Sequence, residues 1–285
     1  MSPPPSSGKA SWKDLMNGGI LQCAEAATLG MPFEVWKTRM GRFRNENTLQ
    51  SFVNVYKRGG VFSYWQGLSP KLVESATKGA VLLYTKEGIL RFMRSFEFNE
   101  TLSGFAAGAG GGICQTVVMS PCTFLVTAAV TSNDKNVSII QKSIEVWKRH
   151  GIRGFYPGAS AIAFRQATNW ASRQGFTEFI RTRLKISLHK DKNAKLTIPQ
   201  EALAGILGGA LSTWNQPFEV ARIYMQSAAN EGKPKQNIVR VFSTIIKEEG
   251  SSALFKGIIP RMCLGIWQTL FMVTGAKLIQ EYLPW

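Results

Sequence analysis

The chain contains 285 residues and carries 34 Lys and Arg against 18 Asp and Glu, which gives a net charge of +16 at pH 7. This excess favours anionic partners, namely acidic lipid, an anionic solute or nucleic acid. No recognition motif accompanies it, so we expect no specific nucleic-acid partner. The four cysteines form no CxxC pair, and no nucleophile, base and orienting residue stand at plausible spacing. We therefore expect neither an enzyme nor a bound metal or cofactor.

The sequence predicts six helical membrane spans, near residues 14–41, 68–94, 101–133, 159–183, 202–218 and 262–276. Residues 101–133 contain no charged side chain, and this run exceeds the roughly 20 residues that a helix needs to cross a bilayer. Spans that carry charges should face a bundle interior or a water-filled cavity, because a charge at mid-bilayer costs about 2.5–3.5 kcal/mol. The alternative, a soluble α-helical repeat protein, fits the mean hydropathy of −0.05 but does not explain the charge-free run.

Two short motifs recur three times along the chain. The first is a proline followed by an acid and then a base, in PFEVWKTR (32–39) and PFEVARIY (217–224), while PCTFLVTA (121–128) keeps only the proline. The second ends in glycine, as YWQG at Gly67, FYPG at Gly158 and LFKG at Gly257. This recurrence predicts an internally repeated fold, with repeats at residues 1–100, 101–196 and 197–285.

Two further features recur in each repeat. Small residues stand at every fourth position before each proline, which lets helix backbones approach closely inside a membrane: Gly19, Cys23 and Ala27; Gly108, Gly112 and Thr116; Ala204, Gly208 and Ser212. Residues 48–57, 138–148 and 237–247 place apolar side chains at helical spacing but are too short to span. We expect them to be helices that lie along the membrane surface.

Together these motifs resemble those of the mitochondrial carrier family, over essentially the whole chain. The resemblance implies an all-α membrane protein of six transmembrane helices in three pseudo-threefold repeats, with three short surface amphipathic helices. It also implies residence in the mitochondrial inner membrane, contact with membrane lipid such as cardiolipin, and exchange of a small anionic solute by alternating access. Residues 74–84, 164–175, 214–227 and 264–273 further resemble fungal members that exchange citrate and oxoglutarate, which implies a di- or tricarboxylate substrate.

The resemblance also implies a gate on the matrix side, where the acid of one repeat pairs with the base of the next. The motif prolines kink their helices toward this gate, because proline removes a helical hydrogen bond; they are Pro32, Pro121 and Pro217. Carried over position by position, Glu219 of the third repeat should pair with Lys37 of the first.

The other two pairs of the matrix gate depart from the family pattern. Glu34 faces Val126, and Arg222 faces Thr123, so we expect neither charge to meet a charged partner from the gate. Gln226 occupies the position of a glutamine that braces this gate in the family.

The gate on the cytoplasmic side is also incomplete. Its candidate residues are Glu87, Glu178 with Arg181, and Lys277, which stands where the family has an acid. A contact of Glu87 or Glu178 with Lys277 is one interpretation, and a solvated helix end is the other. Because both gates depart from the pattern, the alternative function is a transport-inactive accessory subunit of a larger inner-membrane assembly.

The predicted substrate site lies between the gates, on helix faces that follow the repeat glycines. Its candidate ligands are Glu74, Lys78, Arg165, Gln166, Asn169, Arg173 and Gln268. Clustered cations in a low-dielectric cavity attract a multivalent anion, and Arg can hold a carboxylate by a two-pronged hydrogen bond. The alternative is that Lys78 and Arg165 only form a structural ion pair with Glu74.

Overall fold

The computed structural model describes residues 12–96, 100–131, 138–189 and 196–282, and within them it contains helices and no strand. The helices are α1 (Trp12–Glu25), α2 (Met31–Arg42), α3 (Thr48–Gly59), α4 (Leu68–Ser95), α5 (Glu100–Thr131), α6 (Ile139–His150), α7 (Ala159–His189), α8 (Ile198–Leu211), α9 (Gln216–Asn230), α10 (Ile238–Glu249) and α11 (Ile258–Tyr282). The last two residues of the predicted span 101–133 lie outside the described residues.

The long helices form a closed ring. Helix α1 packs against α4, α4 against α5, α5 against α7, α7 against α8, α8 against α11, and α11 against α1. Helices α2, α5 and α9, which contain the three motif prolines, also contact one another. The residues that follow the prolines are therefore brought together at one end of the bundle, which we call the proline end.

The helices are interrupted at two of the three motif prolines. Pro32 follows a π-helical turn, Ala26–Gly30, in which Thr28 leaves the helical conformation (φ −86°, ψ −121°). Pro217 lies in the first turn of α9, directly after the 3-10 turn Ser212–Asn215. Pro121 lies inside the continuous helix α5. The predicted change of helix direction thus has a backbone interruption in the first and third repeats, while a bend at Pro121 stays a prediction.

The two sequence motifs meet in space. The motif glycines have positive φ, of 81° at Gly67, 73° at Gly158 and 81° at Gly257, a conformation that favours glycine. Each one packs on the residue five positions after the proline of the next repeat, which is Val126, Arg222 and Lys37 in turn. A Cβ at Gly67 would lie 3.1 Å from the Val126 Cα, so a larger residue would push the two repeats apart.

The three predicted surface helices are present as α3, α6 and α10. Each follows an Asn or Ser in extended conformation, which favours helix starts, and ends at a glycine with positive φ. Their inner faces bury Val55, Val146 and Ile245. The apolar side chains that predicted them remain exposed on the opposite face, among them Leu49, Tyr56, Ile140, Trp147 and Val239.

Close helix contacts occur at two of the predicted small residues. A Cβ at Gly112 of α5 would lie 3.2 Å from the main chain of Gln166 on α7. At Gly208 of α8, a Cβ would lie 2.8 Å from the main chain of Thr177 on α7. Glycine is therefore needed at both crossings for the backbones to approach this closely.

Two helical stretches, Ala106–Thr131 and Ser251–Gly275, are long and apolar enough to cross a membrane by length and composition alone. The other long helices carry charged residues, including Lys37, Glu74 and Arg222, whose side chains are buried inside the bundle. A hydropathy average counts such charges against a span even when they face away from lipid. On composition, the six spans therefore remain a prediction.

Candidate functional site

A buried cluster of charged side chains fills the proline end of the bundle. At its centre, the Glu219 carboxylate lies 2.9 Å from Lys37 Nζ and accepts hydrogen bonds of 3.0 and 2.8 Å from Arg222 Nε and Nη2. Arg165 Nε, on α7, lies 3.1 Å from the same carboxylate. The contact that the sequence predicted between Glu219 and Lys37 is therefore present.

Glu34 and Arg222 also have charged partners, so the prediction that they would lack them was wrong. Lys37 Nζ donates to Glu34 Oε2 at 2.7 Å, and Arg222 Nη2 lies 4.0 Å from Glu34 Oε1. Glu34 precedes Lys37 by three positions, as Glu219 precedes Arg222, and this spacing places each pair on one helix face. Because the proline motif of the middle repeat supplies no charge here, Glu34 and Arg222 pair along their own helices.

Gln226 joins the middle repeat to the charged cluster through neutral hydrogen bonds. Its Oε1 accepts from Arg222 Nη1 at 2.8 Å and from Thr127 Oγ1 at 2.9 Å. Its Nε2 donates to Thr123 Oγ1 at 3.0 Å. The amide thus stands between the arginine and two threonines, of which Thr123 occupies the position where the family pattern would have an acid.

Burial makes this cluster energetically sensitive. Glu34, Lys37, Glu219 and Arg222 are between 1% and 5% exposed. A buried ion pair gives little net stability because desolvation offsets its attraction, but removing one partner costs about 3–5 kcal/mol. We therefore expect the proline end to stay closed only while the members of the cluster remain paired.

Two of the predicted ligands, Lys78 and Arg165, keep nitrogen atoms without hydrogen-bond partners inside the ring. Within the described residues, Lys78 Nζ makes no hydrogen bond or ion pair, and the two terminal nitrogens of Arg165 make no hydrogen bond. Glu74 instead accepts from Lys71 Nζ at 3.1 and 3.3 Å. The alternative of a structural ion pair between Glu74 and either Lys78 or Arg165 was therefore wrong.

Gln166 faces α5 and bonds to it. Its Nε2 donates to Gln115 Oε1 at 2.9 Å and to Met119 Sδ at 3.1 Å, and these two bonds use both amide hydrogens. An anion would find no donor on this side chain. We therefore correct its predicted role from ligand to a link between α5 and α7.

The remaining predicted ligands differ in how many of their hydrogen-bonding groups already bond to the protein. Asn169 is half-buried, and its side chain makes no hydrogen bond to the described residues. Arg173 Nη2 donates to Thr269 Oγ1 at 3.3 Å, and Gln268 Nε2 donates to Glu25 Oε2 at 3.4 Å. Asn169 therefore keeps both side-chain N–H groups for a solute, and Arg173 and Gln268 each keep at least one N–H group that has no partner among the described residues.

Sequence reasoning missed Glu25, which is 3% exposed. Its Oε1 atom has no hydrogen-bond partner among the described residues. A signal was present in the sequence, because Glu25 is the only charged residue between Asp14 and Glu34. A lone acid inside a predicted span is a candidate for function.

At the end of the bundle opposite the proline end, Glu87 contacts its own helix. Arg91 Nη2 donates to Glu87 Oε1 at 2.6 Å, and both side chains are largely exposed. This agrees with the interpretation that Glu87 lies at a solvated helix end. The side chain of Lys277 lies outside the described residues, so the predicted contact with Glu87 or Glu178 stays a prediction.

Arg181 connects two helices at the same end. Its Nη1 donates to Glu178 Oε2 at 2.5 Å, while Nε and Nη2 both bond Glu201 of α8, at 3.0 and 2.8 Å to Oε2. Glu201 was missed in the sequence because it lies outside the motif positions of the gate.

Two ion pairs outside the charged cluster join the first and third repeats. Arg42 pairs with Glu231 at the end of α9, and Arg44 donates from Nε and Nη2 to Glu249 at 2.7 and 2.5 Å. The hydrogen bonds from Arg44 hold the pKa of Glu249 below its ordinary value of 4.5. The first and third repeats are thus tied together at the surface as well as in the interior.

Comparison with known proteins gives consistent matches over the chain. The family model described as mitochondrial carrier protein matches three times, at residues 7–97, 98–188 and 194–284. The citrate/oxoglutarate carrier protein of Saccharomyces cerevisiae is 39% identical, covering 95% of this chain and 90% of its own. Two relatives at 24% identity are the probable mitochondrial 2-oxodicarboxylate carrier of Dictyostelium discoideum (92% and 87% covered) and the tricarboxylate transport protein of S. cerevisiae (86% and 87%).

These matches cover both the motif prolines and the motif glycines of all three repeats. Members of this family are transporters rather than enzymes, and they reside in the mitochondrial inner membrane. The chain belongs to the mitochondrial carrier family.

Proposed function

We propose that this carrier exchanges di- or tricarboxylates, of the citrate and 2-oxoglutarate type, across the inner membrane by alternating access. The observation that carries the proposal is the pair of interior cations, Lys78 and Arg165, whose nitrogens are left without hydrogen-bond partners by the described residues. A solute with two or more carboxylates would supply the missing acceptors. The names of three relatives, which all specify carboxylates, support this substrate class.

Six membrane spans are part of the proposal, and the exposed surface of the ring supports them. Apolar side chains are exposed on the outward face at intervals of three or four residues, for example Leu203, Leu207 and Leu211 on α8 and Ile259, Met262, Ile266 and Leu270 on α11. The charges of the proline end are buried instead. Apolar residues outside and charges inside suit a ring surrounded by lipid.

The three surface helices would lie along the membrane on the side of the proline end. Their exposed apolar faces support this placement, because Leu49 is 77% exposed and Ile140 is 72% exposed in the isolated chain. An apolar face of this kind is stabilised by contact with the boundary between headgroups and acyl chains.

Alternating access would require the charged cluster to separate. In the present arrangement Glu219 contacts Lys37, Arg222 and Arg165, which supports a state closed at the proline end. By the family resemblance this end faces the matrix. Since Arg165 also has terminal nitrogens free for the solute, an anion that binds Arg165 would compete with Glu219 for this guanidinium. Substrate binding would thereby weaken the closed cluster.

The test is exchange in liposomes that contain the purified protein. Labelled citrate and 2-oxoglutarate should be taken up, whereas ADP and thiamine pyrophosphate should not. Lys78→Ala should lower the initial exchange rate about 10- to 100-fold, because a charge-assisted hydrogen bond contributes about 1.5–3 kcal/mol. Arg165→Lys should also be strongly impaired, since a point charge cannot form the two-pronged contact.

Lys78→Ala is the cleaner of these variants, because Arg165 also contacts Glu219. The apparent melting temperature should stay near wild type for Lys78→Ala and fall for Arg165→Ala. Arg149→Ala is a matched control, as Arg149 is a cation on the exposed surface of α6. Near-normal exchange in both Lys78→Ala and Arg165→Ala would rule out the proposed binding site. If the wild type took up no carboxylate, the accessory-subunit alternative would be favoured.

A further inference from the structure

The carboxyl group of Glu25 is buried inside the ring, with no cation of the described residues at ion-pair distance. Its Oε2 accepts one long hydrogen bond, of 3.4 Å, from Gln268 Nε2 on α11, and its Oε1 has no partner among the described residues. No lysine or arginine of those residues forms an ion pair with it. A carboxylate in such a place would be destabilised if it were ionised, because charge burial without pairing is costly.

The backbone around Glu25 is shaped to hold this carboxyl group. Glu25 ends α1, and the π-helical turn that follows runs to Gly30. A Cβ at Gly30 would overlap both Glu25 Oε1 and the Glu25 carbonyl oxygen, so the absence of a side chain there makes room for the carboxyl group. Single π-helical turns within helices are frequent at functional sites.

Charged groups face Glu25 from two neighbouring helices. Lys71 and Lys78 face it from α4, and Glu34 faces it from α2. Lys71 is already paired with Glu74, while Lys78 is the interior cation assigned above to the anion. Helix α11 contributes the neutral amide of Gln268.

We propose that Glu25 binds a proton when the anion binds, and that it thereby sets the pH dependence of anion affinity. The proposal rests on the carboxylate exchange proposed above. The proton moves from water in the cavity to the Glu25 carboxylate, and it returns to water when the anion leaves.

The reason is electrostatic linkage between the two binding events. An ionised Glu25 adds a negative charge close to Lys78 and repels an incoming anion, whereas a protonated Glu25 leaves the charge of Lys78 for the anion. The bound anion in turn favours the neutral form of Glu25. Linkage to one proton changes an affinity by at most about tenfold per pH unit.

The test measures the affinity of the full chain in detergent for 2-oxoglutarate between about pH 6 and pH 8. The affinity is taken from the ligand concentration that gives a half-maximal shift in melting temperature. Both carboxylates of this ligand remain ionised over the range, so a pH dependence belongs to the protein. Wild-type affinity should weaken by up to about tenfold per pH unit toward pH 8. The affinity of Glu25→Gln should change by no more than about twofold between pH 6 and pH 8. Glu145→Gln is the matched comparison, and it should keep the wild-type slope because Glu145 lies on the surface helix α6, where its partners are Lys142 and Arg149.

A second readout does not depend on the ligand. Without 2-oxoglutarate, Glu25→Gln should raise the melting temperature relative to wild type more at pH 8 than at pH 6, because the ionised carboxylate is unpaired in the wild type. If this difference is found but neither the wild type nor any variant binds 2-oxoglutarate, Glu25 is still a proton-binding group and the proposed substrate is wrong. Equal slopes for wild type and Glu25→Gln in both readouts would overturn the proposal. Glu25→Met is a second neutral variant of similar length should Glu25→Gln fail to fold.

Discussion

Around the proline helices α2, α5 and α9, the contact between the third and first repeats differs in chemistry from the two contacts that α5 of the middle repeat makes. Ion pairs join the third repeat to the first, in the interior and at the surface: Lys37 with Glu219, Arg42 with Glu231, and Arg44 with Glu249. Where the first repeat meets the second, Val126 and Val130 pack in an apolar cluster with Met31 and Val35. Where the second meets the third, Thr123 and Thr127 bond to Gln226. Elsewhere Arg165 and Arg181 of α7 also form ion pairs with the third repeat.

The three interfaces nevertheless share one backbone arrangement. In each, a motif glycine with positive φ packs on the residue five positions after the next proline. Close backbone approach is therefore what brings the proline helices together, and it does not depend on a charge at that residue. The chemistry of the side chains decides how strongly each interface resists opening, and under which conditions.

The largest effect should follow from removing the carboxylate at the centre of the ionic interface. Glu219→Gln leaves Lys37, Arg165 and Arg222 facing one another with Glu34 as the nearest acid. We expect a destabilisation of about 3–5 kcal/mol, because breaking a buried pair strands the remaining charges. The measurement is the apparent melting temperature of the purified protein in detergent.

Glu231→Gln provides the control for that comparison. Glu231 pairs with Arg42 across the same two repeats, but its side chain is 36% exposed, and an exposed pair contributes little. Its melting temperature should stay close to that of the wild type. Equal losses in Glu219→Gln and Glu231→Gln would contradict the view that burial gives the inner pair its strength.

A smaller effect is expected at the neutral contact between α5 of the second repeat and α9 of the third. Thr127→Val removes the hydroxyl that donates to Gln226 and leaves a buried amide oxygen with one bond fewer. The expected destabilisation is about 1–3 kcal/mol, measured as a shift in melting temperature. In the control Thr131→Val, the lost hydroxyl bonds only its own helix, at Thr127 O, and the shift should be smaller. A larger shift in the control would show that the bond to Gln226 does not stabilise this interface.

The smallest effect, which depends on pH, is expected at the surface of the ionic interface. The pKa of Glu249 is held below 4.5 by the hydrogen bonds from Arg44, so its stabilisation is present at neutral pH and is lost as the pH falls through the lowered value. Glu249→Gln should therefore destabilise by about 1 kcal/mol at pH 7, because the amide oxygen that replaces the carboxylate can still accept a bond from Arg44, whose side chain is 5% exposed. The difference from wild type should vanish well below pH 4.5, as followed by melting curves over pH. If the difference in melting temperature between Glu249→Gln and wild type instead grew as the pH was lowered, this ion pair would not be the source of the stabilisation.

Much of the fold followed from local pattern. The recurring prolines and glycines predicted three repeats, and α3, α6 and α10 lie close to the predicted surface helices. The contact between Glu219 and Lys37 also followed, through the family pattern, because both residues occupy motif positions. The partners of Glu34 and Arg222 could not be predicted from the family pattern. The family pattern concerns pairing between repeats, whereas the spacing of three residues also allows pairing along each helix.

The sequence by itself determined where helices begin, where they are interrupted and where their backbones must come close, because proline, glycine and helical periodicity act through local sterics. Apart from the contact between Glu219 and Lys37, the tertiary structure decided which side chains meet. It turned Gln166 toward α5, joined Arg165 to Glu219, and enclosed Glu25 beside Gln268. Such contacts join residues tens to hundreds of positions apart, and they depend on how each helix is rotated within the ring. That rotation follows from the sum of all contacts in the bundle and has no local sequence signal.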